Sequence, residues 1–266
     1  NLQYFPARLS LLPRLMKTHC RPDVVLIHTS LPRDGKVSLG TEVNILPAAI
    51  ESARKHGGIV IAQVNPNMPY TFGDSEIATD DIDFYVEVDE ALTEHIAPAA
   101  SDVAQQIGQS IARHIKDGST MQLGIGAIPD SVLLELLNRK GLRIWTEMFS
   151  DGVLELHRVG ALDPQAQVNG SFVFGSRELY DWLHLNEQVR MRRTEVTNDS
   201  GRISQQPQMV SVNAALQVDL FDQANASRVR GQIYSGFGGS TDFIVGALHA
   251  QGGLAFMALP SWHAKS

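Results

Sequence analysis

Cysteine and positive charge are scarce in this sequence of 266 residues, and long hydrophobic runs are missing. The single cysteine, Cys20, excludes an internal disulfide framework and a zinc site built from several cysteines, and it fits a reducing compartment such as the cytoplasm. Lys and Arg number 22 against 29 Asp and Glu, which argues against a nucleic-acid partner because general nucleic-acid binders need a basic surface. No apolar run approaches the roughly 20 residues that cross a bilayer, so we expect no membrane-spanning segment.

Several catalytic signatures are also missing. There is no G-x-S-x-G segment, no Walker A loop and no His-Glu-x-x-His, and the nine histidines are scattered. A scattered histidine is more typical of a surface or core position than of a metal ligand, so we expect no metal site. The sequence does contain the material for a packed core. Of its residues, 43% are hydrophobic and only 19% are charged, which disfavours disorder.

Short β-branched apolar runs alternate with amphipathic segments, which is typical of an α/β protein with open sheets covered by helices. The pattern predicts strands over residues 23–30, 58–64, 84–88, 120–124, 142–146, 167–173, 209–213 and 253–259. It predicts helices over residues 44–56, 103–115 and 241–249, and another that begins near Pro129 and ends at Gly141. Pro98 and its small neighbours suggest a linker, so we place a boundary near residue 97, with domains over 1–97 and 98–266.

The first candidate ligand site lies in residues 122–129 (QLGIGAIP), where a strand leads through a Gly-x-Gly turn into a helix. The first turn of a helix presents backbone N–H groups and a partial positive charge, which suit a phosphate or a pyrophosphate. An ordinary tight βα turn explains the same pattern equally well, because such turns are frequent. Pro129 stands where a dinucleotide fingerprint has its third glycine, which disfavours NAD binding.

Glu147 is the second candidate, in residues 145–152 (WTEMFSDG). It follows directly on a predicted strand, and open α/β sheets bind their ligands at the carboxyl ends of strands. A carboxylate there could act as a nucleophile, a general base or a metal ligand. From the residues alone, a helix cap or a surface acid is the more frequent role of such a glutamate.

The third candidate is residues 235–243 (SGFGGSTDF), which hold three glycines in four positions ahead of a predicted helix. Glycine allows positive φ and a close approach of the backbone to a ligand. Such a loop could form an oxyanion hole or cradle a phosphate, whereas the simplest alternative is a tight turn. The density of glycine favours the functional interpretation.

Together and in this order, these segments resemble the acetyl-CoA hydrolase/transferase family, which includes 4-hydroxybutyrate, butyrate and succinate CoA-transferases. The matching stretches are 64–74 (VNPNMPYTFGD), 81–89 (DIDFYVEVD), 122–129, 146–152, 175–177 (GSR), 212–220 (VNAALQVDL), 234–243 and 258–261 (ALPS). The chain departs from the family pattern at Gln217, where many members have Glu. Family members also begin upstream of Asn1 and continue past Ser261, so we expect the chain to be truncated at both ends.

The resemblance implies two α/β/α open-sheet domains of the CoA-transferase type, with the active site between them and the catalytic glutamate in the C-terminal domain. It implies that Glu147 is the nucleophile, which would form a mixed anhydride and then a glutamyl-CoA thioester. It also implies that Asn198 is an active-site asparagine and that the amide of Gly239 stabilises an oxyanion. The residues that it implies for CoA binding are Gln122, Leu123, Gly124, Ile125, Gly126, Gly236 and Gly238.

The function that the resemblance implies is transfer of CoA from a short-chain acyl-CoA to a short carboxylic acid. Coenzyme A would be a substrate, with no tightly bound cofactor, and a homodimer is expected. Acyl-CoA hydrolysis is one alternative, and a catalytically silent CoA-binding protein is another. A sugar-phosphate isomerase-like enzyme on the same architecture is a third, since a fold does not fix a function. The intact Glu147 segment favours an enzyme, because a pure binder would not need it.

Overall fold

Parallel strands and connecting helices alternate along the computed structural model, which describes residues 4–96, 100–124, 126–236 and 238–262. The helices are α1 (Leu12–Thr18), α2 (Leu46–His56), α3 (Asp102–Ala112), α4 (Ala127–Glu135), α5 (Asp151–Arg158), α6 (Arg177–Leu183), α7 (Thr194–Thr197), α8 (Ser200–Ser204) and α9 (Ser240–His249). Short 3-10 turns cover Leu9–Leu11 and Thr79–Asp81. The strands are β1 (Val24–Thr29), β2 (Lys36–Ser38), β3 (Ile59–Val64), β4 (Phe72–Gly73), β5 (Glu76–Ala78), β6 (Phe84–Glu87), β7 (Thr120–Leu123), β8 (Arg143–Ile144), β9 (Met148–Phe149), β10 (Val168–Gly170), β11 (Phe172–Val173), β12 (Val189–Met191), β13 (Met209–Ala214), β14 (Gln217–Val218), β15 (Ala224–Asn225), β16 (Arg228–Val229), β17 (Gln232–Ile233) and β18 (Leu254–Ala258). The predicted α/β class is confirmed.

The first sheet has three parallel strands in the order β1-β3-β6. Val25 and Ile27 point to its buried face, because successive side chains of a strand alternate between the two faces. Helix α2 packs against β1 and β3 with small side chains such as that of Ala53, which allow it to lie close to the sheet. Leu26 and Phe84 lie on the opposite face of the sheet, where both are exposed.

The second sheet orders its four parallel strands β18-β13-β7-β8. All four residues of β7 are buried, because β7 lies between β13 and β8. Helices α4 and α9 both pack against β13. This order places the carboxyl ends of β7 and β13 side by side, at the edge where parallel α/β sheets bind their ligands.

Residues 167–173, which the sequence predicts to be one strand, form two strands in different sheets. Strand β10 pairs with β12, which in turn pairs with β4, whereas β11 pairs with β9. The prediction of one continuous strand is wrong because the chain turns between the two. The N–H groups of Ser171 and Phe172 both donate to the carbonyl oxygen of Glu147, at 2.7 and 2.9 Å, so the chain leaves its pairing with β12 here and begins its pairing with β9.

Backbone pairing connects the two predicted domains. Strand β4 of the first pairs with β12 of the second, and the N–H of Val43 donates to the carbonyl of Ser171 at 3.0 Å. One contiguous apolar cluster also contains side chains from both, among them Val25 and Val210. The predicted boundary near residue 97 lies outside the described residues, so the division there stays a prediction. Within the described ranges, no helix is both long enough and apolar enough to span a membrane.

Gly108 lies where α3 and α4 approach closely, and this contact predicts the effect of a substitution. A methyl group added at Gly108 would stand 2.8 Å from the backbone carbonyl carbon of Ser131. We expect Gly108→Ala to lower the free energy of unfolding by about 1–3 kcal/mol, because the helices must separate to admit the methyl group. Urea unfolding measures the change, with Gln106→Ala at an exposed position of the same helix as the control. Since alanine is the better helix former, a gain in stability would contradict the close packing.

Candidate active site

Glu147 lies in the turn between β8 and β9, just past the carboxyl end of a strand of the second sheet, as the sequence predicts. The hydroxyl of the preceding residue, Thr146, lies within hydrogen-bond distance of two carbonyl oxygens, that of Leu123 at 3.2 Å and that of Met148 at 2.8 Å. The backbone carbonyl of Glu147 accepts hydrogen bonds from the N–H groups of Ser171 and Phe172, where β11 begins. These bonds fix the backbone on both sides of the Glu147 side chain.

A buried asparagine holds the Glu147 carboxylate by one of its two oxygens. Nδ2 of Asn198 donates to Oε2 of Glu147 at 2.7 Å, and the Thr197 hydroxyl donates to Oδ1 of the same amide at 2.8 Å. Asn198 is only 1% exposed, so these two bonds fix its amide in one orientation. Nε1 of Trp145 donates to the Thr197 carbonyl at 3.1 Å and connects α7 to the segment that carries Glu147. The hydrogen bonds among the described residues leave Oε1 of Glu147 without a donor.

Gly239 approaches the same carboxylate from the glycine loop. A Cβ built on Gly239 would collide with Oε2 of Glu147 and with Nδ2 of Asn198. Its φ is −105°, so the need for glycine arises from lack of space and not from backbone conformation. Helix α9 begins at the next residue, which brings the partially positive N-terminus of a ten-residue helix beside the carboxylate. The structure thus brings together the three residues predicted for catalysis.

The electrostatic surroundings of Glu147 favour a carboxyl group that holds its proton more tightly than one in water. Burial raises the pKa of Glu147, the hydrogen bond from Asn198 lowers it by stabilising the ionised form, and the charge of Asp242 raises it further. Asp242 is itself buried, which raises its pKa, although Ser10 donates to it through its hydroxyl at 2.9 Å and its N–H at 3.3 Å. Arg8 lies 3.6 Å from the same carboxylate. The glycine-loop segment includes Asp242, but no local signal distinguishes it from the neighbouring residues.

A second carboxyl group, that of Glu42, also lies near Glu147. Burial raises the pKa of Glu42 to about 7, a hydrogen bond from Asn44 opposes the rise, and the charge of Glu147 adds to it. Nδ2 of Asn44 donates to Oε1 of Glu42 at 2.6 Å, and its Oδ1 accepts from the Ser171 hydroxyl at 3.1 Å. Because the Ser171 N–H also donates to Glu147, a short chain of bonds connects the two glutamates. Glu42 belongs to no segment that the sequence marks, so only the fold reveals it.

The predicted CoA-binding turn lies next to the Glu147 segment, because the Leu123 carbonyl is within hydrogen-bond distance of the Thr146 hydroxyl. The Gln122 side chain is buried in the sheet, where its Oε1 accepts a hydrogen bond from strand β13 at 2.6 Å, and Leu123 is buried as well. A Cβ on Gly124 or on the last glycine of the turn would meet open space, so a ligand could approach the backbone there. CoA binding by these residues stays a prediction.

The remaining predicted ligand residues are less constrained. Gly236 and Gly238 are exposed, and Gly238 has a φ of 63°, a conformation that glycine adopts readily. Gly126, with a φ of 118°, begins α4, whereas Ile125 lies outside the described residues. Among the residues that the structure describes, no group of three or more His, Cys, Asp or Glu side chains could hold a metal ion.

The fold of the chain is that of CoA-transferase structures. The chain superposes on 4-hydroxybutyrate CoA-transferase from Porphyromonas gingivalis with a TM-score of 0.86 and 36% identity, over 97% of this chain and 63% of that structure. Family models for the acetyl-CoA hydrolase/transferase N-terminal and C-terminal domains match residues 1–97 and 175–266. The chain belongs to the acetyl-CoA hydrolase/transferase family, and the resemblance seen in the sequence is confirmed.

Curated relatives include transferases from distant organisms. The chain is 40% identical to "4-hydroxybutyrate coenzyme A transferase" of Clostridium kluyveri, over 98% of this chain and 62% of the relative. It is 38% identical to "Succinyl-CoA:acetate/propanoyl-CoA:succinate CoA transferase" of Fasciola hepatica, over 97% of this chain and 55% of the relative. The chain therefore spans about three fifths of the length of the curated relatives that it matches.

The raised pKa of Glu42 predicts how stability depends on pH. Unfolded, this carboxyl loses its proton near the ordinary value of 4.5, whereas in the folded protein it keeps the proton up to about pH 7. The folded state binds more protons between these values, so its stability falls as the pH rises through them, by about 3 kcal/mol for this group. Glu42→Gln cannot titrate and should lack this part of the fall.

The measurement is the free energy of urea unfolding at several pH values between 4.5 and 7. As the pH rises, the free energy of unfolding of Glu42→Gln should increase relative to that of the wild type. Glu187→Gln, at an exposed position, is the control and should follow the wild type. A difference between wild type and Glu42→Gln that stays constant with pH would mean that Glu42 titrates at its ordinary value.

Proposed function

We propose that the protein is a CoA-transferase that moves CoA from a short-chain acyl-CoA to a short carboxylic acid through a glutamyl-CoA thioester on Glu147. The main support is the Glu147 carboxylate itself, which is held at Oε2 by Asn198 and carries no hydrogen bond from the described residues at Oε1. Membership of a family of CoA hydrolases and transferases supports the same chemistry. Coenzyme A then enters as a substrate, and the expected homodimer stays a prediction.

The reaction consists of acyl exchanges at two carbonyl groups. Oε1 of Glu147 attacks the thioester carbonyl of the acyl-CoA, and the C–S bond breaks to release the CoA thiolate and leave a mixed anhydride. The thiolate attacks the side-chain carboxyl carbon of Glu147, Cδ, which releases the first carboxylate and forms the glutamyl-CoA thioester. The second carboxylate attacks that thioester, and the same steps run in reverse. Because each step replaces one activated acyl bond with another, the energy of the thioester is retained.

Asn198 is suited to stabilise negative charge at the atom where these steps generate it. When the thiolate attacks Cδ of the Glu147 side chain, negative charge develops on Oε2, which Nδ2 of Asn198 already contacts at 2.7 Å. A donor fixed in advance at this distance stabilises an oxyanion without reorganisation. We assign a second donor to the backbone N–H of Gly239, because the absence of a side chain lets this backbone approach Oε2.

Hydrolysis of the acyl-CoA is the second candidate reaction, since the family description covers hydrolases and transferases. Hydrolysis would share the glutamyl-CoA thioester and would differ only in whether water or a carboxylate resolves it. The burial of Glu147 favours transfer, because limited access of water protects the anhydride and the thioester. A silent CoA-binding protein would need neither the aligned Asn198 nor the free Oε1.

The first prediction for this function concerns the nucleophile. Glu147→Gln should lower CoA transfer by several orders of magnitude, because the neutral amide is a poor nucleophile, while folding and CoA binding remain nearly unchanged in this near-isosteric variant. Transfer from acyl-CoA to a carboxylic acid is followed by chromatography of the CoA esters. Glu187→Gln, an exposed acid at the surface, is the matched control. Transfer at a near wild-type rate by Glu147→Gln would exclude Glu147 as the nucleophile.

The covalent intermediate can be trapped in the wild type. Borohydride should inactivate the protein only after acyl-CoA has been added, because it reduces a glutamyl thioester and not a carboxylate. Mass spectrometry of the digested protein should then locate the modification at Glu147. Inactivation that is independent of acyl-CoA, or modification at another residue, would contradict the thioester.

The glycine loop leads to a further prediction. Gly239→Val places a side chain where Glu147 and Asn198 now meet, so it should displace the nucleophile and the donors around it. Loss of one oxyanion donor costs about 2.7–4 kcal/mol of transition-state stabilisation, so kcat should fall roughly 100-fold or more while KM for the acyl-CoA changes less. Leu248→Val, at an exposed position of helix α9, is the comparison and should leave kcat nearly intact. If Gly239→Val changed KM alone, the loop would be a phosphate cradle.

A further inference from the structure

A cavity of about 430 Å³ lies beside the nucleophile, and most of its lining is apolar, including Leu39, Met68, Phe172 and Phe174. This volume is within the range of small-molecule sites. Phe172 connects the cavity to the catalytic centre, because its N–H donates to the Glu147 carbonyl at 2.9 Å. The Glu147 backbone and the cavity wall therefore adjoin at Phe172, and the charge of Glu147 acts on Glu42 in the same wall.

Glu42 brings a carboxyl group to the wall of this apolar cavity. Its backbone pairs with Phe172 in an antiparallel bridge, and its Oε1 accepts the hydrogen bond from Asn44 at 2.6 Å. The hydrogen bonds of the described residues do not engage its Oε2. A carboxyl group with one oxygen held by Asn44 and the other without a protein partner can exchange a hydrogen bond with a ligand in the cavity.

We propose that Glu42 determines the acyl specificity of the enzyme by hydrogen-bonding a hydroxyl group toward the far end of a short acyl chain in this cavity. The inference rests on the proposed function and specifies its substrate. It adds to the reaction a residue that binds the acyl chain and does not take part in the bond exchange. Glu42 acts together with the apolar walls, which hold the methylene groups of the chain.

The charges around the cavity favour an uncharged polar group over a second carboxylate. No Lys or Arg stands among the lining residues of the described chain, and burial lowers the pKa of His28, which also lines the cavity, so His28 is neutral near pH 7. A carboxylate at the end of the acyl chain would meet the charge of Glu147 without a cation to balance it. A hydroxyl both donates and accepts, so it can pair with Glu42 whether or not the carboxyl is protonated.

A plain alkyl chain fills the cavity but leaves Oε2 of Glu42 unpaired. A site that is built to bond a hydroxyl rejects the analogue that lacks it far more strongly than an apolar site rejects an added hydroxyl, because buried polar groups of the protein then lose their partner. The structure therefore predicts that a hydroxylated acyl chain is preferred over a plain alkyl chain, and that a plain alkyl chain is preferred over one that ends in a carboxylate.

The test compares kcat/KM for 4-hydroxybutyryl-CoA, butyryl-CoA and succinyl-CoA in the wild type and in variants at Glu42. Glu42→Leu keeps a similar volume without a hydrogen bond and should reduce the ratio of the hydroxylated to the plain substrate at least 10-fold. Glu42→Asp withdraws the carboxyl by one methylene and should reduce the ratio less, which keeps the test readable if the leucine variant does not fold. Glu187→Leu at the surface should leave the ratio unchanged.

A binding measurement separates this inference from the proposed reaction. In the Glu147→Gln background, calorimetric dissociation constants for 4-hydroxybutyryl-CoA and butyryl-CoA report the preference without turnover. A preference that Glu42→Leu abolishes supports the role of Glu42, whichever reaction the wild type performs. The role of Glu42 is overturned if the two dissociation constants are nearly equal with Glu42 intact, or if Glu42→Leu and Glu42→Asp leave their ratio unchanged. Absence of CoA transfer in the wild type counts against the proposed function instead.

Discussion

Every polar group of Ser171 bonds either to Glu147 or to the segment that carries Glu42. Its N–H donates to the Glu147 carbonyl at 2.7 Å, and its carbonyl accepts from the N–H groups of Val43, at 3.0 Å, and Asn44, at 3.2 Å. Its hydroxyl donates to Oδ1 of Asn44 at 3.1 Å. Ser171 is fully buried, so water does not compete for these bonds. The rest of the site depends on this junction, because without it neither glutamate would have a fixed position relative to the other.

Three carboxyl groups lie in or beside the site, and their surroundings shift the pKa of each. Burial raises the pKa of Glu147, Asp242 and Glu42 alike, so burial cannot distinguish them. Hydrogen bonds cannot distinguish them either, because each of the three accepts one from an uncharged amide or hydroxyl group. The nearby charges differ: Arg8 lowers the pKa of Asp242, whereas the charge of Glu147 adds to the rise that takes the pKa of Glu42 to about 7. Environments that push neighbouring pKa values apart give the carboxyl groups different roles.

The sequence predicts those parts of the molecule that depend on local pattern. Apolar runs mark the parallel strands of both sheets, and the position of Glu147 after a strand and of Gly239 before a helix follows from residues within a few places. That Glu147, Asn198 and Gly239 meet was predictable only through the family resemblance, because no periodicity connects stretches so far apart.

What the sequence does not predict depends on contacts between distant segments. Residues 167–173 are predicted as one strand although Asn169 and Gly170 are poor strand formers, and the structure divides them at Ser171, where the chain bonds to the Glu147 carbonyl. Asp242 owes its surroundings to Ser10, which is 232 positions away. Glu42 is positioned by a bridge with Phe172, and the residues next to it in the sequence do not indicate a functional acid. Gln122, expected at a ligand, has its side chain engaged inside the sheet instead.

The junction also constrains how acyl specificity can vary in such a protein. Phe172 donates its N–H to the backbone carbonyl of Glu147 and also lines the cavity, so a shift of its backbone to enlarge the cavity would move Glu147 as well. The chemistry tolerates little displacement, since the Asn198 donor must stay close to Oε2. Side chains that line the cavity without bonding to Glu147 do not share this constraint. Glu42 is such a side chain, because it lines the cavity and its carboxyl is held by Asn44 and not by Glu147. Specificity can therefore change at Glu42 while the geometry of attack is conserved.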